Sequence, residues 1–370
     1  MSEASDQRKD ELLTKVRELI DKRMPADKAE RARIFTEHYY RHTPPDDIAD
    51  REPEDLYGAA LSMWSFGLER PPGEPRIRVY NPRFEEHGWH STHTVIELVN
   101  DNMPFLVDSV TMELARQGLT VHLVVHPIFG VERDDTGAAQ DFPSLKADPS
   151  TLPRESFMHV EIDEQSDPEV LESVEEGLRA VLSDVRAAVE DWRAMREKAV
   201  EVVGALTKKP PKGLDKRTVE ETAAFVQWLH DDHFTFMGYR EIGFEGKGSS
   251  AKLVIDEKSG LGVLRDPERQ VFEGLRHLGA LPPEVQQTMF EPSLVRITKA
   301  NRRSTVHRRV HMDTVAIKKF DAKGNPVGER LFVGLLTSVA YNQSPREIPL
   351  LRQKVEAVAE RSGFEPGGHS

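Results

Sequence analysis

Residues 92–110 read THTVIELVNDNMPFLVDSV, and this stretch decides the fold of the first half of the chain. The apolar run at 92–99 predicts a strand, and the Asn-Asp-Asn sequence after it predicts a turn. A helix is predicted at 104–117, because it begins at a proline and Gly118 stops it. Strand, turn and helix in this order are the first half of a βαββαβ unit, the plan of small regulatory domains that bind amino acids.

Apolar runs farther along the chain supply the second half of this unit. Residues 119–131 predict one long strand and residues 155–162 another, with a polar loop between them. An acidic amphipathic helix at 167–182 and a last strand at 185–189 complete the pattern.

The rest of the sequence predicts helices in the first 70 or so residues and an antiparallel sheet near the C-terminus. One helix followed by a meander of strands resembles a PAS-like sensory layout, with a hairpin turn at 321–325. The predicted fold class is therefore α+β. Its segments are an N-terminal helical motif at 1–72, the βαββαβ domain with a trailing helix at 76–206, a PAS-like antiparallel sheet domain with flanking helices at 217–345, and a C-terminal helix and tail at 346–370.

The composition excludes several classes of function. Net charge is -13 over 370 residues, which argues against a nucleic-acid partner because phosphate binding relies on a basic surface. The chain has no cysteine, which excludes disulfides, thiolate metal sites and cysteine nucleophiles. No apolar run approaches the ~20 residues that cross a bilayer, and the polar N-terminus does not resemble a signal peptide. These features predict a cytoplasmic protein with no membrane partner.

Two patterns that formally match ligand sites are better explained without a ligand. His87, His90 and His93 have a three-residue spacing, but strand side chains alternate between faces, so the rings would not converge on a metal. Residues 246–251 match Gly-x-Gly-x-x-Ala, yet a predicted strand at 252–255 follows instead of the helix that holds a pyrophosphate. The sequence therefore predicts no catalytic residue, no metal and no bound cofactor in this chain.

The turn formed by Asn100, Asp101 and Asn102 is the candidate effector site. It lies between a predicted strand and a predicted helix start, where free backbone N–H groups can hold a carboxylate. Asn and Asp side chains can hold an ammonium group, so the turn offers both halves of an amino-acid site. Plain helix capping is the alternative, since Asn and Asp are also preferred N-cap residues.

The strongest basic cluster lies at 299–309. A solvated loop that makes ion pairs is the favoured interpretation, and an anion or subunit contact is the next. Nucleic acid comes last because the run contains no aromatic residue. The candidates for an anion or subunit contact are Lys299, Arg302, Arg303, Arg308 and Arg309.

Several strings of the sequence are specific enough to resemble one family. They resemble the N-terminal portion of the large bacterial NAD-specific glutamate dehydrogenases, in colinear order over most of residues 30–360. The strings are DLYGAA at 55–60, VYNP at 79–82, MPFLVDSV at 103–110, HP at 126–127, ESFMHVEI at 155–162, FTFMGYR at 234–240, KANRRSTVHR at 299–308 and GLLTSVAY at 334–341.

This resemblance implies an N-terminal helical motif, ACT-type regulatory domains, a PAS-like domain and a distant downstream catalytic region with a Rossmann domain. It implies NAD as the cofactor of the full-length enzyme, which deaminates L-glutamate oxidatively to 2-oxoglutarate. It implies no catalytic residue in this stretch. Many amino-acid-binding ACT domains have a glycine before the first helix, whereas Met103 and Pro104 stand here, which favours a packing role for the loop.

We therefore expect a regulatory and oligomerisation segment whose partners are its own downstream catalytic region, further copies of itself and an amino-acid effector. A stand-alone amino-acid-sensing module that acts on a separate partner is the alternative. An RNA-binding protein that uses the basic cluster is a weaker third interpretation, and a salt-dependent shift with RNA would be needed to support it.

Overall fold

The computed structural model describes residues 3–245, 252–268 and 293–362. The chain divides between residues 183 and 184 into two units, each built around an antiparallel sheet. The division into four segments stays a prediction.

The first unit contains one main sheet, with helices before, between and after its strands. The helices are α1 (Glu3–Arg23), α2 (Ala26–Tyr40), α3 (Pro45–Ile48), α4 (Pro53–Gly67), α5 (Phe84–His87), α6 (Leu106–Arg116) and α7 (Pro168–Glu190), the last of which continues past the boundary. The strands are β1 (Arg76–Tyr80), β2 (Thr94–Asp101), β3 (Val121–Val125), β4 (Ile128–Gly130), β5 (Glu132–Arg133), β6 (Ala139–Gln140) and β7 (Arg154–Ile162).

The main sheet of the first unit has the order β1-β2-β7-β3, with β4 also paired to β7. All of these pairs are antiparallel, and Leu98 lies opposite Met158 in the β2–β7 ladder. The prediction that residues 92–99 and 155–162 share one sheet is therefore confirmed. Helix α6 contacts β3 of the same sheet.

The predicted last strand at 185–189 is wrong, because these residues belong to α7. Val181, Val185 and Ala188 are buried at helical spacing, so the apolar period of 167–182 simply continues. The sheet position beside β2 is occupied by β1, whose Ile77 lies opposite Leu98. The edge strand thus comes from before the βαββα elements and not from after them.

The single long strand predicted at 119–131 is also wrong. It breaks at Pro127 into β3 and β4, which both pair with β7. Proline has no N–H to donate to a ladder, so it interrupts a strand that is paired on that side. Its carbonyl still accepts a hydrogen bond from the Phe157 N–H at 3.0 Å.

The two faces of this sheet pack against different helices. One face, with Val99, Leu123 and Phe157, joins a core with residues of α1, α2 and α4. Side chains alternate along a strand, so Leu98 and its neighbours Ile96 and Val160 lie on the opposite face. The N-terminal helices therefore cover one face of the sheet, and that face also carries several charged side chains.

The second unit is an antiparallel sheet with helices on one face. Its sheet order is β10-β8-β13-β12-β11, with β9 paired to β8. Residues of α8 and α9 pack on the face that presents Tyr239, Val315 and Phe332. The elements are α8 (Trp192–Lys208), α9 (Lys216–Trp228), β8 (Phe234–Glu245), β9 (Lys252–Ile255), β10 (Leu261–Gly262), β11 (Val295–Arg303), β12 (His311–Phe320), β13 (Pro326–Leu336), α10 (Ser338–Asn342) and α11 (Leu351–Ser362).

The predicted hairpin turn between β12 and β13 is confirmed. The N–H of Asp321 donates to the carbonyl of Asn325 at 2.9 Å, and the Asp321 carboxylate accepts from the N–H groups of Lys323 and Asn325. The Gly-x-Gly-x-x-Ala pattern at 246–251 lies outside the described residues, as does most of 267–281. None of the described helices is both long enough and apolar enough to cross a membrane.

Candidate effector site

The candidate effector turn follows β2 and precedes α6. Asn100 and Asp101 are the last residues of β2, and α6 begins at Leu106. Phe105 stands at the N-cap position with φ 71°, a left-handed conformation that glycine adopts more readily. The N-cap residue of α6 is thus Phe105 and not one of the three turn residues, and its side chain makes no capping hydrogen bond.

The polar groups of this turn have partners within the chain. The Asp101 carboxylate accepts a hydrogen bond from Arg70 Nη2 at 2.6 Å. The Asn100 side-chain amide donates to the Asp101 carbonyl at 3.2 Å, and the Asn102 N–H donates to the Arg154 carbonyl at 2.9 Å. The Asn102 side chain is exposed. Effector binding by these three residues stays a prediction, and Arg70 already occupies one oxygen of Asp101.

Arg70 belongs to a group of charges, which we call the Arg70 cluster: the largely buried Arg70, Arg133 and Glu155, and the partly exposed Asp101. Arg70 Nη2 lies 3.0 Å from Glu155 Oε1, and Arg133 binds both oxygens of Glu155 at 2.7 Å. The side chains of Arg70 and Glu155 are only 6% and 4% exposed. Two guanidinium groups therefore share the carboxylates of β2 and β7, joining the segment after α4 to the sheet.

A cavity of about 610 Å³ adjoins the Arg70 cluster. Its cationic side chains are already engaged. Arg76 donates to the carbonyls of Phe66 and Glu69, and Arg179 pairs with Glu175 at 2.8 Å. A cavity whose guanidinium groups are all partnered offers little to an anionic ligand, so this region is best understood as a support for the turn. Its lining includes Glu69, Arg70, Glu74, Arg76, Thr136 and Arg179.

A second buried carboxylate, Glu161 of β7, faces the N-terminal helices. Arg51 binds both of its oxygens at 2.6 and 2.7 Å, and the rings of His93 and His159 each lie 3.4 Å away. Burial alone would raise the pKa of Glu161, but the hydrogen bonds and charges of His159 and Arg51 outweigh it and lower the pKa to about 2. The ionised form is thus the one that the fold stabilises.

We expect Glu161 to make stability depend on pH between about 4.5 and 2. Its pKa is lower in the folded state than the ordinary 4.5, so its contribution is complete above pH 4.5 and disappears as pH falls toward 2. The full contribution is on the order of 3 kcal/mol. Urea unfolding of wild type and Glu161→Gln, measured from pH 6 to pH 3, should show a difference in free energy that narrows with acid. A difference independent of pH would contradict this assignment.

The basic candidates all lie on the hairpin formed by β11 and β12. Lys299 pairs with Asp313 at 2.7 Å, and Arg308 donates to the Leu336 carbonyl at 2.8 Å. β11 forms one edge of the sheet. The remaining three, Arg302, Arg303 and Arg309, are exposed, and their side chains have no partner among the described residues.

His87, His90 and His93 do not form a common site. The His87 ring lies 4.8 Å from the ring of Tyr80, whereas the His93 ring lies 4.5 Å from that of His122. Within the described ranges, no group of three or more His, Asp or Glu side chains is arranged to hold a metal ion.

The sequence of this chain is similar to that of known glutamate dehydrogenases. Residues 35–178 match the family "Glutamate dehydrogenase, ACT1 domain", and residues 348–370 match "Glutamate dehydrogenase, helical motif 1". The chain is 38% identical to the NAD-specific glutamate dehydrogenase of Halomonas elongata over 368 residues, 99% of its own length. The predicted resemblance to the NAD-specific glutamate dehydrogenases is confirmed.

Two further relatives carry the same name. The chain is 36% identical to the NAD-specific glutamate dehydrogenase of Pseudomonas aeruginosa over 91% of its length, and 25% identical to that of Mycobacterium tuberculosis over 82%. It spans only 23%, 20% and 17% of the three relatives, less than a quarter of each. The match is consistent with the N-terminal region of an NAD-specific glutamate dehydrogenase.

The candidate turn and the Arg70 cluster both lie within the part that matches the glutamate dehydrogenase ACT1 domain. Sequence reasoning found the turn but missed Arg70, Arg133 and Glu155. Arg70 falls within the N-terminal helical motif predicted at 1–72 and Glu155 within the strand predicted at 155–162, and neither local pattern pairs the two charges. Three ionisable residues in one predicted strand, Glu155, His159 and Glu161, were the signal that could have identified Glu155.

Proposed function

We propose that this chain is a regulatory and oligomerisation segment of a cytoplasmic, NAD-dependent glutamate dehydrogenase. The observation that carries the proposal is the match of residues 35–178 to a glutamate dehydrogenase ACT1 domain. The reaction of the whole enzyme would be the oxidative deamination of L-glutamate to 2-oxoglutarate. NAD would be held by the part of the enzyme that corresponds to the remaining three quarters of the relatives.

The buried charges support a regulatory role for the first unit. An effector that displaced Arg70 from Asp101 would also disturb Glu155, since Arg70 Nη2 contacts both carboxylates. A ligand shifts an equilibrium only by its differential affinity for two states, and a shared guanidinium provides such a difference. The turn would thereby be coupled to β7 and to the helices packed on it.

The second unit would serve as the PAS-like part of the same segment. Support for this comes from its antiparallel sheet, which follows α9 in the sequence and carries α8 and α9 on one face. The exposed arginines on the β11–β12 hairpin would contact an acidic surface on another copy or on the catalytic part.

We expect the purified 370-residue protein to form no NADH from glutamate and NAD. The physical reason is that the chain corresponds to less than a quarter of the related enzymes. The measurement is absorbance at the NADH wavelength against a heat-inactivated control. NADH formation above that control would show that the chain carries catalysis itself.

A deletion in a relative tests the regulatory part of the proposal. The matched region is removed from the Halomonas elongata enzyme, and the remainder is assayed for NAD reduction and for oligomeric state. We expect the deletion to change the glutamate saturation curve or the oligomeric state while some NAD reduction persists. An unchanged saturation curve together with an unchanged oligomer would contradict a regulatory and oligomerisation role.

We expect the exposed arginines to act through protein contacts. Charge pairs across an interface weaken with salt, so changing Arg302, Arg303 and Arg309 to Ser should reduce any self-association seen at low salt and preserve the fold. Arg308 is left in place because it holds the Leu336 carbonyl. Sedimentation velocity at two salt concentrations measures the effect.

The matched control changes Lys208, Lys209 and Lys212 to Ser, which removes the same charge from another exposed segment. Association that responds equally to both variants would show a general charge effect and no specific contact. Binding of RNA with a steep salt dependence that only the arginine variant loses would show that the hairpin contacts nucleic acid instead.

A further inference from the structure

A different cavity of the first unit, about 550 Å³ in volume, lies between α2, β4 and the loop at 141–152. Its size falls within the range of small-molecule sites, roughly 300–1,000 Å³. None of the three residues of the candidate effector turn lines it. Its apolar lining includes Ile128, Phe129 and Pro143, and its polar lining includes His38, Arg41 and Arg154.

Two guanidinium groups at this cavity have no partner among the residues that the structure describes. The side chains of Arg41 and Arg154 make no hydrogen bond or ion pair with any described residue, in contrast to the engaged arginines of the cavity beside the Arg70 cluster. They come from separate elements, the end of α2 and the start of β7. Guanidinium groups are well suited to bind a carboxylate because their donors match its two oxygens.

His38 adds a third polar group beside these arginines. Its Nε2 lies 2.9 Å from the Ile128 carbonyl, which fixes the ring and leaves Nδ1 for another partner. Burial lowers the pKa of His38, the hydrogen bond to Ile128 raises it, and the positive charges of Arg41 and Arg154 lower it further, as does nearby His42. A carboxylate bound to Arg41 and Arg154 would offset their effect on the pKa of His38.

The walls of the cavity are built in advance. Arg31 holds the loop by donating to the Pro143 carbonyl at 2.9 Å and by pairing with Asp141. Gly130 of β4 allows the loop to approach, because a Cβ at this position would lie 2.2 Å from the Pro149 carbonyl oxygen. A site that is already ordered loses less conformational entropy when a ligand binds.

Carboxylates at the same cavity narrow the ligand class. Glu37 and Asp148 also line it, and they would repel a phosphate but attract an ammonium group. Asp148 accepts from the Ser150 N–H through Oδ1 at 2.9 Å and also bonds the Ser150 side chain. Among the described residues, Glu37 makes only a long, exposed ion pair with Arg17 at 3.8 Å. We infer that this cavity binds an α-amino acid, with its carboxylate on Arg41 and Arg154 and its ammonium group toward Glu37 and Asp148. Binding here goes beyond the proposed regulatory role and does not depend on it.

Calorimetric titration of the 370-residue protein tests the inference. L-glutamate, L-alanine and L-leucine are titrated separately, with 2-oxoglutarate and inorganic phosphate as anions that lack an ammonium group. We expect saturable binding of at least one amino acid and at least tenfold weaker binding in the Arg41→Gln/Arg154→Gln variant. Arg83→Gln, which removes an exposed arginine that does not line the cavity, should bind like wild type.

A second measurement separates lost binding from lost structure. Arg41 and Arg154 are exposed, and their side chains have no partner in the described part of the chain, so the double variant should keep the wild-type Tm. The pKa of His38, followed by NMR, should rise when the amino acid is bound. The inference is overturned if no amino acid binds, if the double variant binds as tightly as wild type, or if phosphate or 2-oxoglutarate binds and amino acids do not. Such a failure would not change the result expected from the deletion in the Halomonas elongata enzyme, which tests the proposed function separately.

Discussion

Replacing Glu155 with alanine is expected to lower the free energy of unfolding of the first unit by about 3–5 kcal/mol. The change leaves the guanidinium groups of Arg70 and Arg133 buried without the carboxylate that balances their positive charge, because Glu155 accepts hydrogen bonds from both. Removing one partner of a buried pair costs far more than the pair contributes to stability, since the remaining charge stays desolvated. Urea unfolding followed by circular dichroism measures the difference.

The control for this prediction is an exposed ion pair. Lys216 and Glu220 are 89% and 64% exposed, so Glu220→Ala should change stability by only about 0–1 kcal/mol. A double-mutant cycle with Arg133→Ala then isolates the coupling, expected at about 0.5–3 kcal/mol. A cost below about 1 kcal/mol for Glu155→Ala would mean that water reaches the Arg70 cluster and that Arg70, Arg133 and Glu155 are not desolvated.

Leu106→Ala is expected to cost about 2–5 kcal/mol. Leu106 is the first residue of α6 and is 2% exposed, so the substitution removes buried methyl groups and leaves a cavity beneath the helix. Leu145, which is 42% exposed, is the matched control, and Leu145→Ala should change stability by less than about 0.5 kcal/mol. Equal costs for the two variants would show that α6 does not bury Leu106.

Local patterns were sufficient to predict most of the secondary structure. The strand at 155–162 and the helix at 104–117 agree with β7 and α6 because apolar period and helix breakers act over short distances. The strand predicted at 185–189 failed because valine and alanine at 185–189 fit a helix as well as a strand, and the sheet already had its edge strand. Whether residues 185–189 could join the sheet depends on β1, which lies far earlier in the chain and already pairs with β2.

The candidate site was harder to predict because its partners are distant in sequence. Arg70 and Glu155 are 85 residues apart, and Arg51 and Glu161 are 110 apart. Nothing in the local pattern pairs one charge with another over such distances. The strings that resemble the glutamate dehydrogenases indicated the family, which residue spacing alone could not do. The glycine in one of these strings has a physical reason: a Cβ at Gly58, within DLYGAA, would lie 2.1 Å from the Cβ of Trp89.

The position of β1 has a consequence for dissecting the protein. A fragment that begins near residue 90 would contain every element of the βαββα pattern, and sequence alone would suggest it as a self-contained piece. Such a fragment lacks Arg76–Tyr80, so the eight-residue β2 would present an unpaired row of N–H and C=O groups. Open strand edges recruit other chains, and truncation there would favour aggregation over folding. The shortest autonomous piece of this unit must therefore start before Arg76.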